Sequence, residues 1–158
     1  MEIPGDARQL LTPYFGEKVW EVADLHVGAF PEVSTLVPRS LVKLAITYVT
    51  VPASRGLRTV GMTVGTSIYL HPEYADLSTA AGLALLAHEM EHVRQAIEVA
   101  DFDRVYENAA RVTPHDRPWE NPYEYVAYRK EQKVYCDKVA EGMPKGRWIP
   151  LGVQLWGC

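Results

Sequence analysis

An apolar run that becomes polar near its end is the feature that most restricts the fold of this chain. Residues 80–87 are mostly strong helix formers, and Ser78 or Thr79 can cap the start of a helix there. Apolar residues then recur at three- and four-residue intervals, namely Leu83, Leu86, Met90, Val93 and Ile97. This spacing places them on one helix face. We therefore predict a buried helix.

The second half of this helix contains the pattern His88-Glu89-x-x-His92. Residues four apart share a helix face, so both imidazoles can reach one ion. Glu89 is turned about 100° from His88, which suits a carboxylate that accepts a proton from metal-held water without binding the metal. Two ordinary helix histidines are the alternative. The apolar helical setting favours a metal site, and we expect Zn²⁺.

Length and composition favour a single domain spanning residues 1–158. The net charge is −4 and there is no basic stripe, which argues against nucleic acid as a partner. The longest apolar run, residues 80–87, is too short to cross a bilayer, so no membrane association is expected. The N-terminal stretch has no apolar signal core. This predicts a cytoplasmic protein, with non-classical export left open.

The chain has two cysteines, Cys136 and Cys158. They are too few and too oddly placed for a disulfide scaffold, and neither has the spacing of a zinc motif. A bridge between them is the less favoured alternative. We interpret both as free thiols. The sequence does not determine the oligomeric state.

Hydrophobic patterning predicts an α+β fold. Three β-rich runs precede the metal helix, at residues 44–51, 58–64 and 67–71, and Gly65-Thr66 forms a hairpin turn between the last two. This indicates a small antiparallel sheet. We also expect helices over 7–15 and 38–44, a strand over 18–27, and loops over 53–57 and 113–121. A second long helix should begin at Pro122, capped by Asn121, and run to about Glu141, before an irregular tail.

A catalytic zinc site normally has three protein ligands and one open position for water. In the metzincin pattern the third ligand would stand at Glu98, but on a continuing helix that residue lies about 240° from His92 and points away. The better candidate is Glu124, 32 residues after His92 (124 − 92), in the first turn of the second helix. Metal ligands would then be His88, His92 and Glu124.

Glu124 also has a structural interpretation, because it lies three residues after Asn121, where a capping-box glutamate reaches back to the cap. If it is not a ligand, the substitutes are Glu120, Asp116 and His115. The pattern alone leaves both interpretations open.

The segment HEMEHVRQ, followed by NPYEYVAY, resembles the small gluzincin-like metallopeptidase domains of bacteria. These include the core domain of extracellular contractile injection systems. The resemblance extends from LLTPYF and LHVG near the N-terminus to about Tyr128, and it leaves out the tail. It implies a zincin-like fold, His88, His92 and Glu124 as zinc ligands, and Glu89 as the base.

Such an enzyme needs a hydrogen-bond donor for the oxyanion of its intermediate. Tyr128 lies four residues after Glu124 on the same face and is our candidate, although packing is the commoner role of a helical tyrosine. The alternatives are Tyr125, Arg129 and His115.

Gln95, one turn after His92, either orients a ligand or is solvated. His26 and His71 have no ligand spacing, so we interpret them as structural. A peptide could pair with an exposed edge strand, for which the hairpin at 58–70 is the local candidate.

These features predict a zinc metallopeptidase that hydrolyses peptide bonds in a peptide or protein substrate. The competing hypothesis is a zincin-fold module that binds zinc without turnover, acting in protein interaction or as part of an exported effector. The short chain offers little material for a second lobe, which favours the module. Glu89 favours the enzyme, because a closed structural zinc site has no use for a base.

Overall fold

The computed structural model describes residues 2–28, 30, 46–53, 56–114 and 116–158. The architecture is α+β, as predicted. Its elements in chain order are α1 (Gly5–Leu11), a 3₁₀ turn (Thr12–Tyr14), α2 (Glu17–Val22), β1 (Asp24–Val27), β2 (Ile46–Ala53), β3 (Gly56–Val64), β4 (Ser67–Leu70), α3 (Ala80–Glu98), α4 (Phe102–Val112), a second 3₁₀ turn (Pro118–Glu120), α5 (Pro122–Ala140) and α6 (Leu151–Trp156).

The four strands form one sheet in the order β1-β4-β3-β2. β2 and β4 both run antiparallel to β3, and Gly65 forms the predicted turn between β3 and β4 with a φ of 61°. β1 pairs with β4 in parallel, from Asp24 opposite Ser67. The sheet is therefore mixed, and the prediction of an antiparallel sheet was wrong because it did not include the pairing of β1 with a strand far along the chain.

The sheet order also changes which strands are edges. β3 and β4 each pair with two neighbours, so in the described sheet the edges are β1 and β2. The hairpin over 58–70 therefore has no open side for a peptide strand, and its proposed role in substrate pairing was wrong.

Several element boundaries differ from the predictions near the N-terminus. The strand predicted over 18–27 divides into α2 and the shorter β1, because a short apolar run fits either periodicity and α2 buries Val19 and Trp20. The helix predicted over 7–15 ends at Leu11, and Pro13 lies in the following 3₁₀ turn. The loop predicted over 53–57 is shorter, since β2 extends to Ala53 and β3 begins at Gly56. The helix predicted over 38–44 lies outside the described residues.

α3 is the centre of the fold. Thr79 caps its start by accepting the Gly82 N–H at 3.2 Å, and 15 of its 19 residues are buried. The sheet packs on one side and α5 on another. The first turn of α3 is further completed by the tail, where the N–H groups of Ala80 and Ala81 donate to the carbonyls of Pro144 and Lys145.

α5 begins and ends close to the predicted positions. Asn121 caps it by accepting the Tyr123 N–H at 2.9 Å, and Pro122 is the first helical residue. No helix in the described part of the chain has the length and apolar character needed to cross a membrane.

The tail is more ordered than predicted, because residues 151–156 form α6. Gly152 packs so closely on α5 that a Cβ there would lie 2.3 Å from the Tyr128 carbonyl oxygen. α6 thereby returns along α5 and brings Cys158 beside Cys136, with their Cα atoms 5.5 Å apart in a disulfide bond. The prediction of two free thiols was wrong, because the proximity depends on the packing of α6.

Candidate metal centre

Two imidazoles converge on the face of α3 that packs against α5. The Nε2 atoms of His88 and His92 are 3.2 Å apart, and both side chains are almost completely buried. Their spacing of four residues on a regular helix brings them together.

Glu124 joins them from the first turn of α5. Its Oε2 lies 3.2 Å from Nε2 of His88, and its Oε1 lies 3.4 Å from Nε2 of His92. Ligand atoms of the three residues all lie within 4.8 Å of one another. The three predicted ligands thus form one buried cluster, built from two helices that are distant in sequence.

The electrostatics of this cluster are those of a buried acid against two bases. Burial opposes ionisation of Glu124, but the neighbouring imidazoles outweigh it and hold the pKa of that carboxyl well below its usual range. Burial lowers the pKa of His88. Burial would also lower the pKa of His92, but the charge of Glu124 outweighs it and raises that pKa to about 9. The negative charge of Glu124 that favours a proton on His92 would equally favour a metal cation in the place of that proton.

The donor set fits a metal ion. Glu124 Oε2 is buried and makes no hydrogen bond of good geometry to any described residue, although it is directed at the histidines. Two imidazole nitrogens and one carboxylate oxygen form the set that catalytic zinc sites use. The cluster could therefore hold a divalent ion.

Gln95 fixes the orientation of His92, which was one of its two predicted roles. Its Oε1 lies 3.0 Å from Nδ1 of His92, and its Nε2 donates to the Tyr123 carbonyl at 2.9 Å. A proton on Nδ1 of His92 would therefore be donated to Gln95, leaving Nε2 of that ring unprotonated for a metal.

Glu89 is buried on the sheet side of α3, apart from the three possible ligands. The hydroxyl of Thr63 on β3 donates to Glu89 Oε2. Beside it, Gly61 provides the space that this carboxylate occupies, since a Cβ at Gly61 would lie 2.5 Å from Glu89 Oε1. The sheet therefore holds the carboxylate in a defined position.

Tyr128 lies at the cluster, with its ring packed edge-on against His88 at 4.5 Å between centroids. Burial raises the pKa of Tyr128, so its phenol stays protonated. Two of the alternative oxyanion donors lie elsewhere: Tyr125 and Arg129 both contact Trp156 of α6. The third, His115, is outside the described residues.

Among the described residues, the substitute ligands Glu120 and Asp116 and the histidines His26 and His71 also lie outside the cluster. Glu120 pairs with Arg117, Asp116 is exposed, and Glu98, the metzincin position, pairs with Arg94. His26 stacks on Tyr69 and pairs with Asp24. His71 accepts the N–H of Glu73.

Tyr106 is a residue of this site that the sequence reasoning missed. It lies on α4, which was not predicted, and its hydroxyl donates to Glu124 Oε1 at 2.6 Å. Its ring is 6.1 Å from that of His92. The available signal was the helical spacing of Phe102, Val105 and Tyr106 in a mostly polar stretch after the motif.

Comparison with known proteins gives one partial match. Residues 48–99 match the family model described as "eCIS core domain". The match agrees with the part of the sequence resemblance that concerns the core of extracellular contractile injection systems. It covers most of β2 and continues through α3, so it includes His88, Glu89 and His92, but it ends before Tyr106 and Glu124. No curated protein and no solved structure matches the chain.

Proposed function

We propose that this protein is a zinc-dependent peptide hydrolase of the gluzincin type. His88, His92 and Glu124 would hold the ion, and Glu89 would act as the general base. The observation that carries the proposal is the convergence of three buried donor atoms from α3 and α5 within 4.8 Å, together with a separate, positioned carboxylate, Glu89, on α3. A closed structural site would have no need of that carboxylate.

A bound zinc ion would lower the pKa of a water molecule towards neutrality and polarise a peptide carbonyl. The residues of the chain would supply the remaining steps. Glu89 accepts the proton of the attacking water on its carboxylate and transfers it to the leaving amine. Tyr128, protonated and packed on His88, is the candidate donor to the oxyanion.

The second candidate function is a zinc-binding module without turnover that acts in protein interaction. It is favoured by the burial of the cluster, since His88, His92 and Glu124 are only 0%, 1% and 3% exposed. Because of the partial match to an eCIS core domain, we propose a component of an injection system as the partner of such a module.

We also propose that the protein functions after export. Disulfide bonds persist mainly in oxidising compartments, and Cys136 is bonded to Cys158. An exported destination therefore accounts for this bond better than the cytoplasm does.

Zinc content by mass spectrometry tests the metal. We expect one zinc per chain in the wild type, and loss of zinc in His92→Ala. His26→Ala is the matched control, since it removes a histidine outside the cluster and should leave the zinc content unchanged. An equal zinc content in the wild type and His92→Ala would refute both candidate functions.

Glu89→Gln separates the two functions. The amide keeps the shape of the side chain and can still accept the hydroxyl of Thr63, so the fold and the zinc should be retained. The hydrolase proposal predicts peptide-library cleavage by the wild type and its loss in Glu89→Gln. An inactive wild type with bound zinc would leave the non-catalytic module as the function, and activity in Glu89→Gln would exclude Glu89 as the base.

A further inference from the structure

α4 is attached to the rest of the molecule by a small aromatic cluster. Its buried members are Phe102 and Tyr106, and they pack with Ala96 from α3, Val99 directly after α3, and Tyr123 from α5. This cluster is distinct from the main core, which lies between α3, the sheet and the N-terminal helices. Few apolar contacts therefore hold α4 in place.

Tyr106 makes the direct side-chain contact between this cluster and Glu124 of the metal centre. Its hydroxyl is buried and donates to Glu124 Oε1 at 2.6 Å. The two oxygens of Glu124 are thereby distinguished: Oε1 accepts the phenol, while Oε2 lies 3.2 Å from His88 Nε2 without a hydrogen bond of good geometry to any described residue. Both oxygens lie near an imidazole, since Oε1 is also 3.4 Å from Nε2 of His92, but Oε1 is already engaged by the phenol. The phenol therefore leaves Oε2 as the oxygen available to an ion.

We propose that Tyr106 is a positioning residue of the metal centre, which holds Glu124 by Oε1 and so presents Oε2 to the ion. This inference rests on the proposed metal site. Tyr106 is not required to touch the ion or a substrate, because it acts through the carboxylate. It plays the part for Glu124 that Gln95 plays for His92.

The same contact couples α4 to metal binding. If the phenol of Tyr106 improves the position of Glu124 for the ion, the bound ion must stabilise the phenol contact by the same free energy. Because α4 has few other contacts, its local opening should be the motion most affected. Zinc is therefore expected to slow amide hydrogen exchange in residues 102–112.

The test is the zinc affinity of Tyr106→Phe, measured by competition with a chromophoric chelator at a temperature where circular dichroism shows the variant folded. Loss of an outer hydrogen bond to a ligand typically weakens metal binding about 10–100-fold, and we expect a loss in that range. The matched control is Tyr135→Phe. It also removes a buried phenol, but this one lies on α5 in a separate core cluster, so zinc affinity should be unchanged.

Hydrogen exchange provides a readout that a purely structural role of Tyr106 would not change. We expect zinc to protect residues 102–112 in the wild type, and Tyr106→Phe to abolish this protection while the control retains it. If the variant does not fold, the wild-type measurement decides, because an α4 whose exchange is indifferent to zinc refutes the coupling.

The outcomes separate the inference from the proposal beneath it. A wild type that binds no zinc overturns both. Suppose instead that the wild type binds zinc, that the zinc affinities of Tyr106→Phe and the control are within about twofold of it, and that zinc protects α4 equally in all three. That result overturns only the role of Tyr106.

Discussion

Glu131 provides a sensitive test of the electrostatics inside this fold. It is fully buried on α5, where its Oε2 accepts the N–H of Gly152 at 3.0 Å. Burial, together with the charges of Glu89 and Glu124, raises the pKa of this carboxyl from 4.5 to about 8. The change to make is Glu131→Gln, which keeps the size and the acceptor for Gly152 but removes the ionisation.

The sign and size of the effect follow from the two pKa values. Below pH 4.5 Glu131 is protonated in both the folded and the unfolded chain, so it costs no stability. As the pH rises from 4.5 to about 8, the unfolded chain ionises while the folded chain does not, and folding becomes less favourable. At about 1.4 kcal/mol per pKa unit, the cost reaches at most about 5 kcal/mol above pH 8.

The assay is urea unfolding of the zinc-free, disulfide-bonded protein between pH 4.5 and pH 8.5. We expect Glu131→Gln to be more stable than the wild type by several kcal/mol at the alkaline end, with the difference falling towards zero at the acid end. The control is Glu107→Gln, which removes an exposed carboxyl and should change stability by less than about 0.5 kcal/mol throughout. A difference for Glu131→Gln that does not depend on pH, or that grows towards acid, would refute the reasoning.

Two further predictions concern packing and the disulfide. Gly61→Ala should lower the free energy of unfolding by about 1–3 kcal/mol, measured by urea titration, because the new Cβ would lie 2.5 Å from Glu89 Oε1 and 3.0 Å from Leu85 Cδ1; an unchanged stability would show that β3 does not confine the carboxylate. Reduction by a dithiol should cost about 3 kcal/mol, since the bond between Cys136 and Cys158 closes a loop with a sequence separation of 22. Thermal unfolding with and without the dithiol measures this, and identical curves would contradict it.

The parts of the fold that could be predicted are those encoded by neighbouring residues. α3 was predicted from apolar periodicity and a cap at Ser78 or Thr79, and α5 from the Asn121 cap and Pro122. Thr79 and Asn121 do cap these helices. The β3–β4 hairpin followed from Gly65. The clustering of the three possible ligands followed from the four-residue spacing of His88 and His92 and from the choice of a carboxylate in the first turn of the second long helix.

The features that escaped prediction depend on contacts between distant parts of the chain. The parallel pairing of β1 requires Asp24 to meet Ser67, and the disulfide requires α6 to return along α5. Neither contact leaves a periodic trace in the sequence. α4 was missed because it is mostly polar and buries only Phe102 and Tyr106, although Phe102, Val105 and Tyr106 recur at helical spacing.

The burial of α3 on every side has a consequence for dissecting this protein. The segment that matches a known family, residues 48–99, ends with α3, yet the imidazoles of that helix are covered by α5, which lies entirely outside the match. An excised fragment of residues 48–99 would expose the largely apolar surface of α3 to water and should aggregate. The stretch that matches the family model and the stretch that is needed to cover α3 are thus different parts of this polypeptide.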